Sequence, residues 1–233
     1  MAIVDTWLHG EVAANRILPV KFGGQLFLLD ARGVLYCPRR DALVVSDLHF
    51  EKASYLSRFA NPLPQLDTLA TLSRLETIIA DYSPRQVICL GDSFHDADGF
   101  FRMPVDEQQQ LVAMTSGSDD WIWVLGNHDP AIPTQAGGRC VSSLNWDGVL
   151  LSHEPESGDM LQLIGHFHPK VRKTVSRKRF SGKCFVHNNR VFVMPAFGQY
   201  TGGLDIDSEP MRAVFGNKST ETFLLFEGGI YKV

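Results

Sequence analysis

Long hydrophobic runs are missing from this 233-residue chain. No stretch approaches the ~18 apolar residues that a membrane-spanning helix needs. The first residues, Met-Ala-Ile-Val-Asp, lack the basic region and apolar core of a signal peptide. Cysteine is also scarce, and the four cysteines, which form no C-x-x-C pair, are Cys37, Cys89, Cys140 and Cys184. These absences predict a cytoplasmic protein with reduced thiols, with one disulfide pair as the alternative.

A strong net charge is missing as well. The formal charge of -4 argues against a surface that coats nucleic acid uniformly, so local charge has to be examined separately. We find no internal repeat, low-complexity segment or linker in the sequence. The hydrophobic share of 44% and the charged share of 21% are typical of globular proteins. Together with the length, they predict one domain over residues 1–233 with a substantial core.

Five short apolar runs each stop at an aspartate, an asparagine or a histidine. The side chains at these stops are Asp47, His49, Asp92, Asn127, His128, His153, His166 and His168. Such runs are typical of buried strands, and sites in open α/β sheets form beyond the carboxyl ends of strands. Five of the eight histidines in the chain lie at these stops. We therefore expect five strand ends, side by side, to bring these polar groups together.

The remaining sequence predicts the elements around these stops. Apolar residues recur every three or four positions from Gln65 to Asp81, which is typical of an amphipathic helix. A second helix is predicted from Pro104 to Gly117, and residues 50–64 are predicted to be a loop over the site. After His168 the pattern predicts strands alone, at residues 170–175, 184–187, 191–194 and 222–226. An early βαβ half and a late all-β half predict two packed sheets with helices outside.

The set of polar side chains determines the chemistry that we expect. Carboxylate, imidazole and amide oxygen without thiolate suit Mn²⁺, Fe²⁺ or Zn²⁺. A single catalytic zinc ion needs about three protein ligands, so the set is too large for one ion. Two ions that share one carboxylate would use the whole set of ligands. Such pairs lie about 3.5–4 Å apart, clamp a phosphate and lower the pKa of a bound water towards ~7, which makes hydroxide available as the nucleophile.

Five short motifs follow one another along the chain, namely Asp47-x-His49, Gly91-Asp92, Gly126-Asn127-His128, His153 and Gly165-His166-x-His168. Together they resemble the five-part signature of the calcineurin-like metallophosphoesterases, over residues 42–169. The resemblance implies an α/β fold, a four-layer αββα sandwich of two mixed β-sheets flanked by helices.

The same resemblance assigns a role to each polar residue. The implied ligands are Asp47, His49 and His168 for the first ion, and Asn127, His153 and His166 for the second. Asp92 is implied to bridge the two ions. His128 is implied to lie beside the scissile phosphate and to donate a hydrogen bond to a phosphate oxygen or to the leaving group.

A narrower resemblance covers nearly the whole chain. The residues that carry it are 46–52, 62–64, 91–96, 165–169 and 195–203. They are similar to the bacterial ligase-associated DNA damage response endonucleases, the PdeM group. This similarity implies Mn²⁺-dependent cleavage of DNA during repair, together with a DNA ligase and an Lhr-like helicase. Glu51 departs from the pattern, since relatives often carry glycine there.

A run of basic residues begins two positions after His168. Its seven members are Lys170, Arg172, Lys173, Arg177, Lys178, Arg179 and Lys183, and no acidic residue interrupts them. Such a run is either a solvated face or, beside a site that cleaves phosphate esters, a surface that follows the phosphates of DNA. Bases of single-stranded DNA stack on aromatic rings, and the candidates here are Phe180, Phe197, Tyr200, Phe94, Phe100 and Phe101.

Other polar residues near the motifs have simpler interpretations. His9 and His187 are interpreted as structural, and Asp129 as a residue that fixes the turn before Pro130. His95 lies near the strand end at Asp92, so it is either structural or contacts the substrate or an outer-shell group of the site.

The sequence as a whole predicts a Mn²⁺-dependent, dinuclear phosphodiesterase that acts as a DNA endonuclease, on single-stranded DNA, in repair. One alternative is a small-molecule phosphatase or cyclic-nucleotide phosphodiesterase with the same metal site. Another is a non-catalytic scaffold that binds repair proteins.

Overall fold

The computed structural model describes residues 5–59, 63–216 and 218–233. Within these ranges two mixed β-sheets face each other, and helices cover their outer faces. This arrangement confirms the predicted four-layer αββα sandwich.

The first sheet contains seven strands of the described chain, and their order in space follows the sequence. These strands are β1 (Ile17–Phe22), β2 (Gln25–Asp30), β3 (Val34–Cys37), β4 (Ala42–Val45), β5 (Gln86–Leu90), β6 (Asp120–Val124) and β7 (Arg139–Val141). Strands β1 to β4 are antiparallel and connected by short turns. From β4 to β7 the pairing is parallel. Because parallel neighbours need crossover connections, the helices of this half lie between these strands in the sequence.

The second sheet contains eight strands of the described chain, one of which, β11, pairs with β12 alone. These strands are β8 (Leu144–Trp146), β9 (Val149–Ser152), β10 (Leu161–Ile164), β11 (Lys170–Val175), β12 (Lys178–His187), β13 (Val191–Val193), β14 (Glu221–Phe226) and β15 (Gly229–Lys232). Strand β10 runs parallel to β9 and β13, and the other pairs are antiparallel. The apolar runs that end at His153 and His166 are therefore parallel neighbours.

The helices of the described chain are α1 (Asp5–Ala13), α2 (Lys52–Ser57), α3 (Asp67–Tyr82), α4 (Gly99–Arg102), α5 (Val105–Gly117) and α6 (Glu209–Phe215). The predicted amphipathic helix is α3, which buries Leu72, Leu75 and Ile78 against the first sheet and leaves Leu69 largely exposed. Helix α6 packs on the outer face of the second sheet through Met211 and Phe215.

The core between the sheets is apolar. Phe27, Ile88 and Val124 of the first sheet pack with Leu163 and Phe192 of the second. Full burial of one such side chain stabilises the fold by about 1.5–3 kcal/mol. This core holds the two sheets together so that their strand ends meet on one side.

Two of the predicted elements were wrong. Residues 50–64 are not a continuous loop, because α2 occupies Lys52–Ser57. Residues 60–62 of this predicted loop lie outside the described residues. The region after His168 is not made of strands alone, because it contains α6. Among the described residues, no helix has the length and hydrophobicity required to cross a membrane. All four cysteines are free thiols, as predicted.

Candidate metal centre

The polar side chains that end the five apolar runs meet where the two sheets present their strand ends. They do not come from one row of five strands, because β4, β5 and β6 belong to the first sheet and β9 and β10 to the second. Hydrogen bonds connect the two halves: the backbone N–H of His166 donates to the Asp47 carboxylate at 3.2 Å, and His153 Nδ1 donates to Leu90 O at 3.1 Å. The site therefore lies across the sheet interface, where both halves of the fold hold it.

One half of the site combines residues from the two sheets. Asp47, His49 and His168 place ligand atoms within 4.8 Å of one another. His168 Nε2 lies 3.0 Å from Asp47 Oδ1 and 3.3 Å from His49 Nε2. This is the predicted ligand set of the first ion.

The other half repeats the arrangement with different residues. Asp92, His153 and His166 form a second group within 4.8 Å. Asn127 Oδ1 lies 3.2 Å from His153 Nε2 and 3.1 Å from His166 Nδ1. The four residues therefore gather the oxygen and nitrogen atoms predicted for the second ion.

Asp92 lies between the two halves. Its Oδ2 atom is 3.9 Å from His49 Nε2 on one side and 3.2 Å from His153 Nε2 on the other. Its Oδ1 atom accepts a hydrogen bond from the backbone N–H of His128 at 3.0 Å. A carboxylate in this position fits the predicted bridge between two ions.

Hydrogen bonds on the far side of the rings fit a metal site. His153 Nδ1 donates to a backbone carbonyl, so the neutral ring presents the lone pair of Nε2 to the site. In the same way, His49 Nδ1 lies 3.3 Å from His95 Nδ1 while His49 Nε2 faces the site. Imidazole nitrogens that converge in this way with carboxylate oxygens suit divalent cations such as Mn²⁺, Fe²⁺ or Zn²⁺. The role of each residue as a ligand stays a prediction, and the donor set fits it.

The charges of the site favour cation binding. Burial lowers the pKa of His49 to about 3, which keeps the ring neutral. Burial alone would raise the pKa of the Asp47 and Asp92 carboxyl groups, but hydrogen bonds and charges from His168 and His153 hold both values below the usual range. Burial would also lower the pKa of His153, yet its contact with Asp92 raises it to about 9. A metal ion bound by His153 therefore displaces a proton.

The backbone is strained where the ligands lie. Asp47, His49, Asp92, His166 and His168 all have positive φ angles, between 46° and 68°. Non-glycine residues rarely adopt this conformation, which costs on the order of 1–3 kcal/mol each. Such strain persists only where the surrounding fold enforces it, and here it directs predicted ligands toward one point.

Two glycines of the motifs are required by close contacts. A β-carbon at Gly91, whose φ is +78°, would overlap the His153 ring, and one at Gly126 would overlap the Asp92 carboxylate. The glycines before the aspartate and the asparagine therefore allow neighbouring strand ends to approach.

Three further residues support the site. Two of them, Asp129 and Ser46, were not predicted as part of it, whereas His95 was predicted to lie near Asp92. The Asp129 carboxylate is fully buried and accepts backbone N–H groups of Gly126, Asp92, Ser93 and Phe94, at 2.7 to 3.1 Å. It fixes its own turn, as the sequence indicated, and also the loop after β5. Ser46 Oγ donates to Asp47 Oδ2 at 2.6 Å. Both residues adjoin motif residues, and that adjacency was the only signal in the sequence.

His95 is the third of these residues. It is buried, at 8% exposure, and its ring stacks on that of His128 with centroids 4.9 Å apart. Its backbone carbonyl accepts a hydrogen bond from His128 Nδ1 at 2.8 Å, which directs His128 Nε2 toward Asp92 at 4.0 Å. His95 therefore holds His49 with its ring and His128 with its backbone.

The basic run forms a hairpin beside the site. Residues 170–175 pair with residues 178–183, and the turn is Ser176-Arg177, with both φ angles positive, as in the tight turns typical of hairpins. The exposed cations of this hairpin are Arg172, Lys173, Arg177, Lys178 and Arg179, and Lys170 is half-buried.

Lys183 is different, because its ammonium donates to the carbonyls of Ala196 and Gly198 at 2.7 and 3.0 Å. Burial lowers the pKa of Lys183 to about 8. The structure therefore places Lys183 in the framework of the site, and we remove it from the set of predicted DNA contacts.

Three of the six predicted stacking residues are buried, and two, Phe180 and Tyr200, are half-buried. Phe94, Phe100 and Phe197 are buried, and Phe180 packs edge-on against Phe226. Phe101 is 59% exposed, but among the described residues its ring contacts only one other ring, that of the buried Phe100, so the structure does not connect this candidate to the site.

The profile of the calcineurin-like phosphoesterase family matches residues 42–197. The chain belongs to this family. The match extends from β4 to just beyond β13 and so includes all the polar stops described above. Members of the family hydrolyse phosphoesters, and this chain is a phosphoester hydrolase with a site that fits metal ions.

Solved structures extend this result. The crystal structure of Pseudomonas putida nuclease MPE is similar, with a TM-score of 0.73 and 27% identity, over 93% of this chain and 100% of that chain. A phosphoesterase from E. coli, Yfce, aligns over 82% of this chain and 97% of its own at 12% identity, with a TM-score of 0.41. No curated protein matches the sequence.

Proposed function

We propose that this phosphoester hydrolase is a Mn²⁺-dependent, dinuclear DNA endonuclease that cuts single-stranded DNA during repair. The observation that carries the proposal is the position of the Asp92 carboxylate between the two ligand groups, 3.9 Å from His49 Nε2 and 3.2 Å from His153 Nε2. The similarity to a nuclease over nearly the whole chain supports the choice of a nucleic acid as substrate.

In this proposal two divalent ions supply Lewis-acid charge and lower the pKa of a water molecule. Asp47, His49 and His168 would hold one ion, Asn127, His153 and His166 would hold the other, and Asp92 would contribute to both. The protein fixes Asp47, Asp92 and His153 before substrate binds, because these side chains are already hydrogen-bonded to the fold.

His128 supplies the proton chemistry. Its side chain is 39% exposed at the edge of the site, with Nδ1 held by the His95 carbonyl and Nε2 directed inward. With both nitrogens protonated, His128 donates to a phosphate oxygen or to the leaving group, where a positioned donor is worth several kcal/mol.

One face of the hairpin supplies contacts for DNA. Residues that pair across antiparallel strands share a face, so Lys170, Arg172 and Arg179 lie on the same face as Lys183. Lys183 donates to Gly198 O, and the Gly198 N–H donates to Asp47 O at 3.0 Å, so this face continues to the metal centre. Lys173 and Lys178 lie on the opposite face. Cations that lead away from the reacting phosphate would hold the flanking phosphates of a strand, independently of sequence.

The proposal also includes the setting of the reaction. By its resemblance to the ligase-associated group, the protein would act in the cytoplasm as a single domain, beside a DNA ligase and an Lhr-like helicase. Purification of the tagged protein with its partners from DNA-damaged cells tests this part separately.

The experiment that tests the proposed function is incubation with circular single-stranded DNA and Mn²⁺. An endonuclease converts the circle into linear strands and then fragments, whereas an exonuclease leaves a closed circle intact. Bis-p-nitrophenyl phosphate, a small phosphodiester, serves as the parallel substrate. Hydrolysis of the ester with intact circles would favour the small-molecule alternative, and failure with both would favour the scaffold.

A further inference from the structure

A row of aromatic rings extends from the candidate site to the protein surface. The His128 ring stacks on His95, the Tyr55 ring meets His95 at a centroid distance of 4.8 Å, and Phe59 follows Tyr55 at 5.4 Å. Phe59 is 63% exposed, although it ends a row that begins in the site. An apolar ring at such a position offers one face to a ligand that lies beside His128.

The segment that carries the outer rings is basic and aromatic. Residues 52–59 read Lys-Ala-Ser-Tyr-Leu-Ser-Arg-Phe, with two cations, two aromatics and no acid. The preceding Glu51 is buried, and its carboxylate accepts a hydrogen bond from Thr68 at 2.9 Å. Lys52 is half-buried at the first position of α2, which begins shortly after the site residue His49. Aromatic rings interleaved with cations are typical of surfaces that bind single-stranded nucleic acid.

We propose that residues 52–59 form a base-stacking surface, in which Tyr55 and Phe59 bind an unpaired base next to the scissile phosphate and Lys52 contacts an adjacent phosphate. This inference rests on the proposed function and specifies its substrate. The faces of bases in a duplex are covered by their neighbours, so Phe59 can stack only on a base that is unpaired or displaced. The surface therefore selects single-stranded or locally opened strands.

Phe101 provides a comparison within the same protein. It is 59% exposed, nearly as much as Phe59. Its ring leads to Phe100 at 5.5 Å and onward to Phe94, which is buried in the core. Phe101 therefore has the same exposure without the connection to His128, and it serves as the matched control.

The test compares Phe59→Ala with Phe101→Ala on two substrates in Mn²⁺, a single-stranded oligonucleotide and bis-p-nitrophenyl phosphate. Loss of the binding free energy of one stacked base should lower the specificity ratio, kcat/KM for DNA divided by kcat/KM for the ester, about tenfold in Phe59→Ala. Phe59→Trp should restore the ratio, because tryptophan offers a larger ring. Phe101→Ala should retain the wild-type ratio.

An oligonucleotide that lacks bases, combined with the Phe59→Ala variant, gives a double-change cycle. Removal of bases around the cleavage position should slow the wild type about tenfold and should add little to the loss in Phe59→Ala, since both changes remove the same contact. A wild-type ratio in Phe59→Ala, or an equal loss in Phe101→Ala, would overturn the stacking surface. The proposed function would still stand in that case if the wild-type protein cleaved DNA. If the wild type cleaves the ester but no DNA, the endonuclease proposal fails and this inference fails with it.

Discussion

The metal centre and the basic hairpin adjoin each other in the sequence but are built in different ways. In the metal centre, Asp47 and Asp92 are almost completely buried and are held by hydrogen bonds from both sheets. In the hairpin, β11 pairs with β12 alone, and Arg172 is 81% exposed with one ion pair to Asp205 at 3.7 Å. Such an exposed pair contributes little to stability. The chemical step needs fixed atoms, whereas contact with flanking phosphates needs charge within reach.

This comparison implies that changes in the two regions have different effects. A change in the metal centre should reduce activity on every phosphodiester. A change in the hairpin should act on DNA in particular. The following predictions are ordered from the largest expected effect to the smallest.

Replacement of Asp92 should have the largest effect. Asp92→Ala removes the one carboxylate that faces both ligand groups, so the bound metal and the activity on both substrates should be lost together. Metal content by elemental analysis and ester hydrolysis provide the readouts. A variant that retained two ions and normal turnover would exclude the bridge.

Replacement of His128 should separate chemistry from metal binding. His128 lies 4.0 Å from Asp92 and at the edge of the site, so His128→Ala should retain the metal. The loss of a positioned donor should lower kcat on the order of 10²-fold or more. Near-normal turnover of the ester by this variant would remove His128 from the mechanism.

Replacement of His95 should have an intermediate effect, because its ring acts through His49. His95→Ala should weaken metal affinity or activity by about 10- to 100-fold, as is usual for partners of ligand histidines. His95→Asn, which can accept a hydrogen bond in place of the ring, should recover part of the loss.

His187 is the control for this prediction. It is similarly buried, at 7% exposure, and stacks on Phe192 and Phe223. His187→Ala should lower thermal stability and leave the metal affinity unchanged. Equal losses of metal affinity in the two variants would show that His95 supports the fold and nothing more specific.

The smallest predicted effect comes from the hairpin, and it depends on the face. Arg172→Glu with Arg179→Glu changes the face that continues to the metal centre, and Lys173→Glu with Lys178→Glu changes the opposite face by the same charge. The first pair should lower DNA cleavage more. It should also reduce the slope of log DNA affinity against log salt concentration by about 0.7 for each lost phosphate contact.

The ester provides the reference rate for both hairpin variants. A loss of ester hydrolysis equal to the loss of DNA cleavage would show that the hairpin supports the fold or the metals. If neither variant affected DNA cleavage, the basic run would be a solvated face, and the small-molecule alternative would gain support.

The positions of the predicted ligands could be inferred from the sequence because each ligand lies just after the end of a strand. An apolar run that stops at Asp47 or His166 is a local pattern, and the strand end fixes where the side chain lies. The partition of these strands between two sheets could not be predicted, since apolar runs do not reveal which strands pair. The role of Lys183 in the framework of the site could not be predicted either. The carbonyls of Ala196 and Gly198 that accept its hydrogen bonds come from a later part of the chain.

Short helices were missed for a different reason. Helix α6 has only seven residues, too few for a period of 3.6 to emerge. Its boundaries were nevertheless marked by Ser208 at the start, Pro210 in the first turn and Gly216 at the end, where the left-handed conformation stops the helix. Helix α2 has six residues and begins after Glu51 at a positive φ of 65°, and without it Tyr55 and Phe59 had no predicted place near the site.

Anomalous X-ray diffraction from crystals grown with Mn²⁺ tests the central claim most directly. The claim is that two ligand groups share Asp92. Data collected at the manganese absorption edge should show two peaks about 3.5–4 Å apart, with the Asp92 carboxylate between them. A single peak, or two peaks that leave Asp92 without contact to both, would contradict the dinuclear site and the mechanism built on it.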